Sequence, residues 1–335
     1  MFAKRFSAVV RSLWCGVVLY AAGPVWGGDA SVAVPGGAGA DAPSQAGHAV
    51  LAAVPAPSGK ALRGQGTLFK VSRAGQAGYL FGTIHVGAKS LYPLAPAVSA
   101  ALADTDQLVL ELDTRANDAF QMALANHASY RQGESIRQFV SADTLTRLTR
   151  ALHAVGITLS SVAHLKPWLL ANLLMGLELE RNGYQRMDGN EFFLLAHAQA
   201  RGTAVTELES PAYQLALFDT LSRGDAERYL RESLAELDDG TSLRKARATI
   251  DAWSSGDPVA LDALMPDAVG ADTVMSAFTR RTLLGKRNPE MAHRIERLMQ
   301  DGKRPFVGVG LLHLLGEEGV PELLARRGYH VERVY

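Results

Sequence analysis

The spacing of apolar positions changes several times along the chain, and each change predicts an element. Leu68, Phe69 and Val71, then Tyr79, Leu80 and Phe81, form two short apolar runs. The turn-prone Ala74-Gly75-Gln76-Ala77-Gly78 separates them, which predicts a β-hairpin beginning near Thr67. The second run leads directly into Gly82-Thr83-Ile84-His85-Val86-Gly87. A helix is predicted from Ala95 to Ala103, followed by a strand, Gln107 to Leu110, that ends in Glu111-Leu112-Asp113. The far end repeats this order, with a helix from Pro289 to Asp301, a strand from Pro305 to Val309, and then Gly310-Leu311-Leu312-His313-Leu314-Leu315-Gly316. A last helix, Val320 to Arg327, and a last strand, Tyr329 to Val334, follow.

The middle of the chain supplies a helix from Glu191 to Ala200 and a strand, Ala204-Val205-Thr206-Glu207-Leu208-Glu209, again ending in a carboxylate. The stretches Ser141 to Asn182 and Ser210 to Arg287 carry leucines at helical spacing, such as Leu145, Leu148 and Leu152. They read as helical layers or a lid. The chain thus resembles two related halves, each with one strand ending in Gly-x-x-His and one ending in Glu. The expected class is α/β: duplicated strand-GxxH units form a central mixed sheet flanked by helices, with a helical insertion at about 141–287 between the halves.

Composition refines the two ends of this picture. Lys4, Arg5 and Arg11 precede an apolar run from Leu13 to Trp26, and small residues follow, so residues 1–27 read as an export signal. A membrane anchor is the alternative, but the run is shorter than the roughly 20 residues that a spanning helix needs. Residues 28–64, rich in Ala, Gly, Pro, Val and Ser, read as a flexible linker, which leaves 65–335 as the folded domain. A periplasmic or secreted location follows, with no stable membrane insertion of the mature chain. Cys15, inside the signal, is the only cysteine, so thiol nucleophiles, disulfides and Cys-ligated zinc drop out of the mature chain. The formal net charge is zero, which offers no broad field to nucleic acid.

In an open α/β sheet ligands collect at the carboxyl ends of strands, and His85, Glu111, Glu209 and His313 all fall at such ends. Neutral imidazole takes a proton or binds a metal, and a carboxylate orients the imidazole or ligates beside it. A glycine three residues before each histidine permits a close backbone approach. Arg287 and Asn288, in a basic cluster with Arg280 and Arg281, are candidates to hold a carbonyl, a carboxylate or an oxyanion. On composition alone the cluster reads more readily as a solvated turn. Gly189-Asn190-Glu191 reads as a helix start and Gln214 as a surface amide. Neither a Gly-x-Ser-x-Gly elbow nor a His-Glu-x-x-His helix occurs, and no Walker-type phosphate loop is present.

Gly82-Thr83-Ile84-His85, Leu110-Glu111, Pro167-Trp168, Gly189-Asn190-Glu191, Leu208-Glu209 with Gln214, Trp253 with Gly256-Asp257, Arg287-Asn288 with Met291, and Val309-Gly310-Leu311-Leu312-His313 together resemble the TraB/PrgY/GumN family. That family is similar to the Tiki metalloproteases and, more distantly, to erythromycin-esterase-like and ChaN-like proteins. The resemblance implies one pocket lined by His85, Glu111, Glu209 and His313, helped by Arg287 and Asn288. It further implies a divalent ion (Mn, Co, Zn or Fe) on His85, His313, Glu111 and Glu209, and cleavage of a peptide bond. Asn190 stands where the family more usually has an apolar residue, so the acidic position of that motif falls on Asp188 or on Glu191. A metal-independent esterase, and a periplasmic protein that binds a peptide or small molecule without turnover, are the alternative expectations.

Overall fold

The computed structural model describes residues 65–113, 115 and 117–334. The expected signal and linker lie outside the described residues. Among those residues, six strands build one sheet: β1 (Thr67–Arg73), β2 (Gln76–Thr83), β3 (Gln107–Leu110), β4 (Ala204–Glu207), β5 (Pro305–Gly310) and β6 (His330–Arg333). Their order is β4-β3-β5-β2-β1-β6. The neighbours β4, β3, β5 and β2 run parallel, while β1 is antiparallel to both β2 and β6, so the sheet is mixed. The predicted hairpin is β1 and β2, in the register Thr67 opposite Gly82.

Because alternate residues of a strand face opposite sides, the buried central strands need apolar residues at every position. On one face Leu68, Phe81, Leu108, Leu110 and Phe306 pack with Val98, Ala101 and Leu102 of helix Pro96–Asp104 and with Leu194, Leu195 and Ala198 of helix Asn190–Arg201. On the other, Leu80, Val109, Val307 and Val309 pack with Met291, Ile295 and Met299 of helix Arg287–Gln300. Helices therefore cover both faces, as the α/β expectation requires.

A third core is purely helical. Leu148 and Leu152 of helix Ala142–Ala154, Trp168 to Leu174 of helix Pro167–Arg181, and Tyr229, Leu230 and Leu234 of helix Arg223–Asp238 meet in it. Helix Thr241–Ser255 ties into the sheet, where the Trp253 indole N–H donates to the Gly82 carbonyl at 2.7 Å and its ring meets Phe81 edge to face. This bond satisfies a carbonyl at the very end of β2, beside the first Gly-x-x-His turn.

Candidate functional site

The two Gly-x-x-His strands are immediate neighbours. β2 pairs with β5 so that Gly82 lies opposite Val309 and Thr83 opposite Gly310, which puts both turns at one carboxyl edge. The two carboxylate strands pair in the same way, and their pairing runs past the strand ends: Leu208 N–H donates to the Leu110 carbonyl and Glu209 N–H to that of Glu111. Glu111 and Glu209 are thereby side by side. The glycines make the closeness possible. A Cβ on Gly82 would stand 2.9 Å from Leu311 Cδ1 of the second turn. One on Gly310 would stand 3.2 Å from Glu111 Oε1 and 3.6 Å from both His85 Nε2 and His313 Cδ2. Gly310 is thus the floor on which both imidazoles and Glu111 converge.

Each ring is held by its Nδ1. His85 Nδ1 donates to Glu191 Oε1 at 2.8 Å, and the Thr83 hydroxyl donates to the same oxygen at 2.6 Å. His313 Nδ1 lies 2.5 Å from Asn288 Oδ1. The Asn288 amide nitrogen donates to the Glu318 carbonyl, which leaves its oxygen as acceptor and makes His313 Nδ1 the donor. In the neutral form both histidines therefore present the lone pair of Nε2.

Arg287 occupies the first turn of its helix and is 1% exposed, the deepest charge in the molecule's described part. Its Nε donates to Glu209 Oε1 at 2.9 Å, and its Nη2 reaches Glu209 Oε2 at 2.7 Å and Glu111 Oε2 at 2.5 Å. Gln214 donates to Glu209 Oε2 at 2.7 Å and to Glu111 Oε2 at 3.2 Å. Gly310 N–H donates to Glu111 Oε1 at 2.6 Å, and His313 Nε2 stands 3.8 Å from that oxygen. Both carboxylates are therefore engaged by protein groups, and Glu111 Oε1 is the oxygen that lies beside His313.

The electrostatics separate the two imidazoles. Burial opposes protonation of His85, but the Glu191 carboxylate, by charge and hydrogen bond, outweighs it and raises the pKa above the ordinary value. His313 has no carboxylate on Nδ1; burial and the charge of Arg287 push it down to about 3. Burial alone would raise Glu111, yet Arg287 and the two histidines hold it well below the usual carboxylate range. The His85 side chain, at 25% exposure, is the most open of the three.

Of the residues singled out from sequence, His85, Glu111, Glu209, Arg287, Asn288 and His313 meet in this one centre. Arg280 does not. It is exposed and donates to the Val269 carbonyl, and Arg281 is exposed as well. Gln214, read from sequence as a surface amide, is 1% exposed and bridges the two glutamates, because helix Pro211–Ala216 follows directly on the Glu209 strand end. Of the two acids in the Gly189 motif, Glu191 reaches His85, and the backbone carbonyl of Asp188 accepts from the Tyr92 hydroxyl. Thr83 and Tyr92 carried no sequence signal beyond their closeness to the first motif.

A mixed sheet whose parallel carboxyl edge joins two Gly-x-x-His turns to an Arg-bridged glutamate pair defines a composite-site α/β protein. The chain belongs to the TraB/PrgY/gumN family, which matches residues 67–333. It is 26% identical over 251 residues to the uncharacterized protein YbaP of Escherichia coli (strain K12), covering 73% of this chain and 87% of that protein. The YbaP protein of Shigella flexneri matches to the same extent. No solved structure matches the chain. Among the described residues no helix is long and apolar enough to cross a membrane.

Proposed function

We propose that the chain is an exported, metal-assisted hydrolase that cleaves a peptide bond at the centre around Gly310. The observation that carries the reading is the shared arrangement of the two histidines: His85 Nε2 borders Gly310 and His313 Nε2 stands 3.8 Å from Glu111 Oε1, while both Nδ1 atoms are anchored, one on Glu191 and one on Asn288. Metal-binding histidines are characteristically fixed through the other ring nitrogen in this way, which sets the tautomer and the direction of the lone pair. The donor chemistry of His85, His313 and Glu111 fits a divalent ion, and a set of two imidazoles and one glutamate leaves positions open for substrate. Glu209 fits less well, since Arg287 and Gln214 engage its oxygens, whereas Glu111 Oε1, which accepts from Gly310 N–H, stands 3.8 Å from His313 Nε2. As the side chains stand, the described residues contain no ready-made cluster of three ligands.

A bound ion would supply Lewis acidity to a carbonyl oxygen. The protein's own groups prepare the centre. Arg287 neutralises the adjoining carboxylates, Asn288 keeps His313 in the tautomer that presents Nε2, and burial limits competing water. A second reading rests on the His85–Glu191 pair: a histidine whose Nδ1–H is held by a carboxylate is equipped as a general base, taking a proton from water at Nε2 with no ion present.

Calorimetric titration of chelator-stripped protein with Mn, Co, Zn or Fe(II) ions, alongside a broad peptide and ester screen, tests both readings. We expect one ion per chain, binding weakened at least ~10-fold in H85A, H313A and E111Q, and peptide hydrolysis that stops on chelation. Hydrolysis that survives chelation in metal-free protein overturns the metal reading in favour of the His85–Glu191 base. Ligand binding without turnover overturns both in favour of a binding protein.

A further inference from the structure

His85 stands on a turn, and a turn needs something to hold it. The residue before it, Ile84, has both of its backbone polar groups engaged by one partner. Ile84 N–H donates to Asn190 Oδ1 at 2.9 Å, and the Ile84 carbonyl accepts from Asn190 N–H at 3.1 Å. Two residues past His85, Gly87 exchanges a second pair of backbone bonds with Gln185, at 3.0 and 2.7 Å. The histidine is bracketed by these two clamps. The packing there is tight: a Cβ on Gly189 would stand 2.5 Å from the His85 carbonyl oxygen.

Asn190 is 0% exposed and opens helix Asn190–Arg201, the helix whose next residue is Glu191. A helix-opening Asn commonly caps its own helix, but this side chain is spent across the chain on Ile84. Its amide nitrogen donates to the Tyr92 hydroxyl at 3.2 Å, and that hydroxyl donates to the Asp188 carbonyl at 2.9 Å. The bonds fix the amide orientation, since Ile84 N–H needs an acceptor and Tyr92, already donating, needs a donor. The Tyr92 ring also stacks on Phe193, one turn along the same helix, at 5.1 Å.

We propose that Asn190 is a positioning residue for His85, setting the distance between the Gly82–His85 turn and Glu191, and that Tyr92 holds Asn190 in the required orientation. The inference rests on His85 being a working side chain, as in the hydrolase reading. It extends that reading by one layer. Leucine keeps the branched shape of Asn190, with somewhat more bulk, but leaves Ile84 N–H without its acceptor, so the turn loses one of the two bonds that set its height over Glu191. Phenylalanine at 92 keeps the stacking and removes only the hydroxyl.

The test reads the ring directly. Imidazole ¹⁵N–¹H correlation spectra of chelator-treated full-length chain give separate Nδ1–H signals for His85 and His313, assigned by their loss in H85Q and H313Q. In N190L we expect loss of the His85 Nδ1–H signal with the His313 signal unmoved, and in Y92F a shift of the His85 signal, again with His313 unmoved. N172L, which removes a buried amide of helix Pro167–Arg181 that pairs with Tyr229, should move neither. An unchanged His85 signal in folded N190L or Y92F overturns the proposal. So does a joint shift of both histidines, or the same response in N172L. If N190L does not fold, Y92F alone decides. Since no turnover or ion is involved, failure of the hydrolase reading would leave this result standing.

Discussion

At the scale of single residues, the centre is dominated by one buried cation. Arg287 is desolvated, which by itself would lower its pKa, but Glu111 and Glu209 overcome this and hold the guanidinium protonated. Removing it as R287M would leave two buried carboxylates without a counter-charge. We expect a loss of about 3–5 kcal/mol in urea unfolding. R287K should recover only a minor part of that loss, because a lysine ammonium lacks the planar fork that spans both glutamates. Wild-type stability in R287M would remove Arg287 from this structural position. Residue chemistry was only partly legible in the sequence. Arg280, Arg281 and Arg287 look alike there, and what separates them is helix phase: the first two lie on a wide turn, Thr279–Leu284, facing solvent, and the third is the first residue of the next helix. Gln214 and Glu191 belong to motifs that resemble the family's, but their partners, the glutamate pair and His85, come only from the three-dimensional structure.

At the scale of elements, the Gly-x-x-His turn is the unit that recurs, and its two glycines differ in what they exclude. Gly82 leaves room for Leu311, so G82A should overpack the contact between the turns and cost about 1–3 kcal/mol in thermal or urea unfolding. Gly310 leaves room between the two rings and Glu111. G310A should fold and yet lose ion affinity and turnover on the order of 100-fold, as misplacement by about 1 Å can cost. Wild-type ion binding in G310A would move the centre away from this floor. The strands were readable because apolar runs broken by Gly and polar turns have few alternatives, and the predicted hairpin, β3 and β5 stand within a residue or two of their expected ends. Helix Asn117–His127 was not read. Phe120 and Ala123 are its fully buried apolar residues, too few to mark a face. The helix expected to begin at Pro289 begins at Arg287, since proline fits any of the first helical positions, where its missing N–H costs nothing. Those two extra residues carry Arg287 and Asn288 into the centre.

At the scale of the whole molecule, the buried histidines couple stability to pH. His313 titrates near 6.5 in an unfolded chain and is pushed down to about 3 when folded. The unfolded state therefore takes up the proton first as pH falls, so this contribution is complete above about 6.5 and is lost on acidification toward about 3. The slope is at most ~1.4 kcal/mol per pH unit. His85 has the opposite sign: its raised pKa stabilises fully below about 6.5 and that contribution is lost as pH rises through the folded-state value. Urea unfolding of chelator-treated protein between pH 6.5 and 5 should show the acid-side slope in wild type and a flatter one in H313Q; equal slopes would contradict a buried neutral His313. Assembly on this scale explains the division between what could and could not be read beforehand. Apolar periodicity and glycine placement are local properties, so the sequence by itself determined the α/β class, the hairpin, the two Gly-x-x-His turns and the carboxylate strand ends. That β2 lies against β5, that Glu111 and Glu209 share one guanidinium, and that Glu191 and Asn288 each claim a histidine were decided by tertiary structure alone. These contacts join residues 25 to more than 170 positions apart, and local spacing carries no record of such distances.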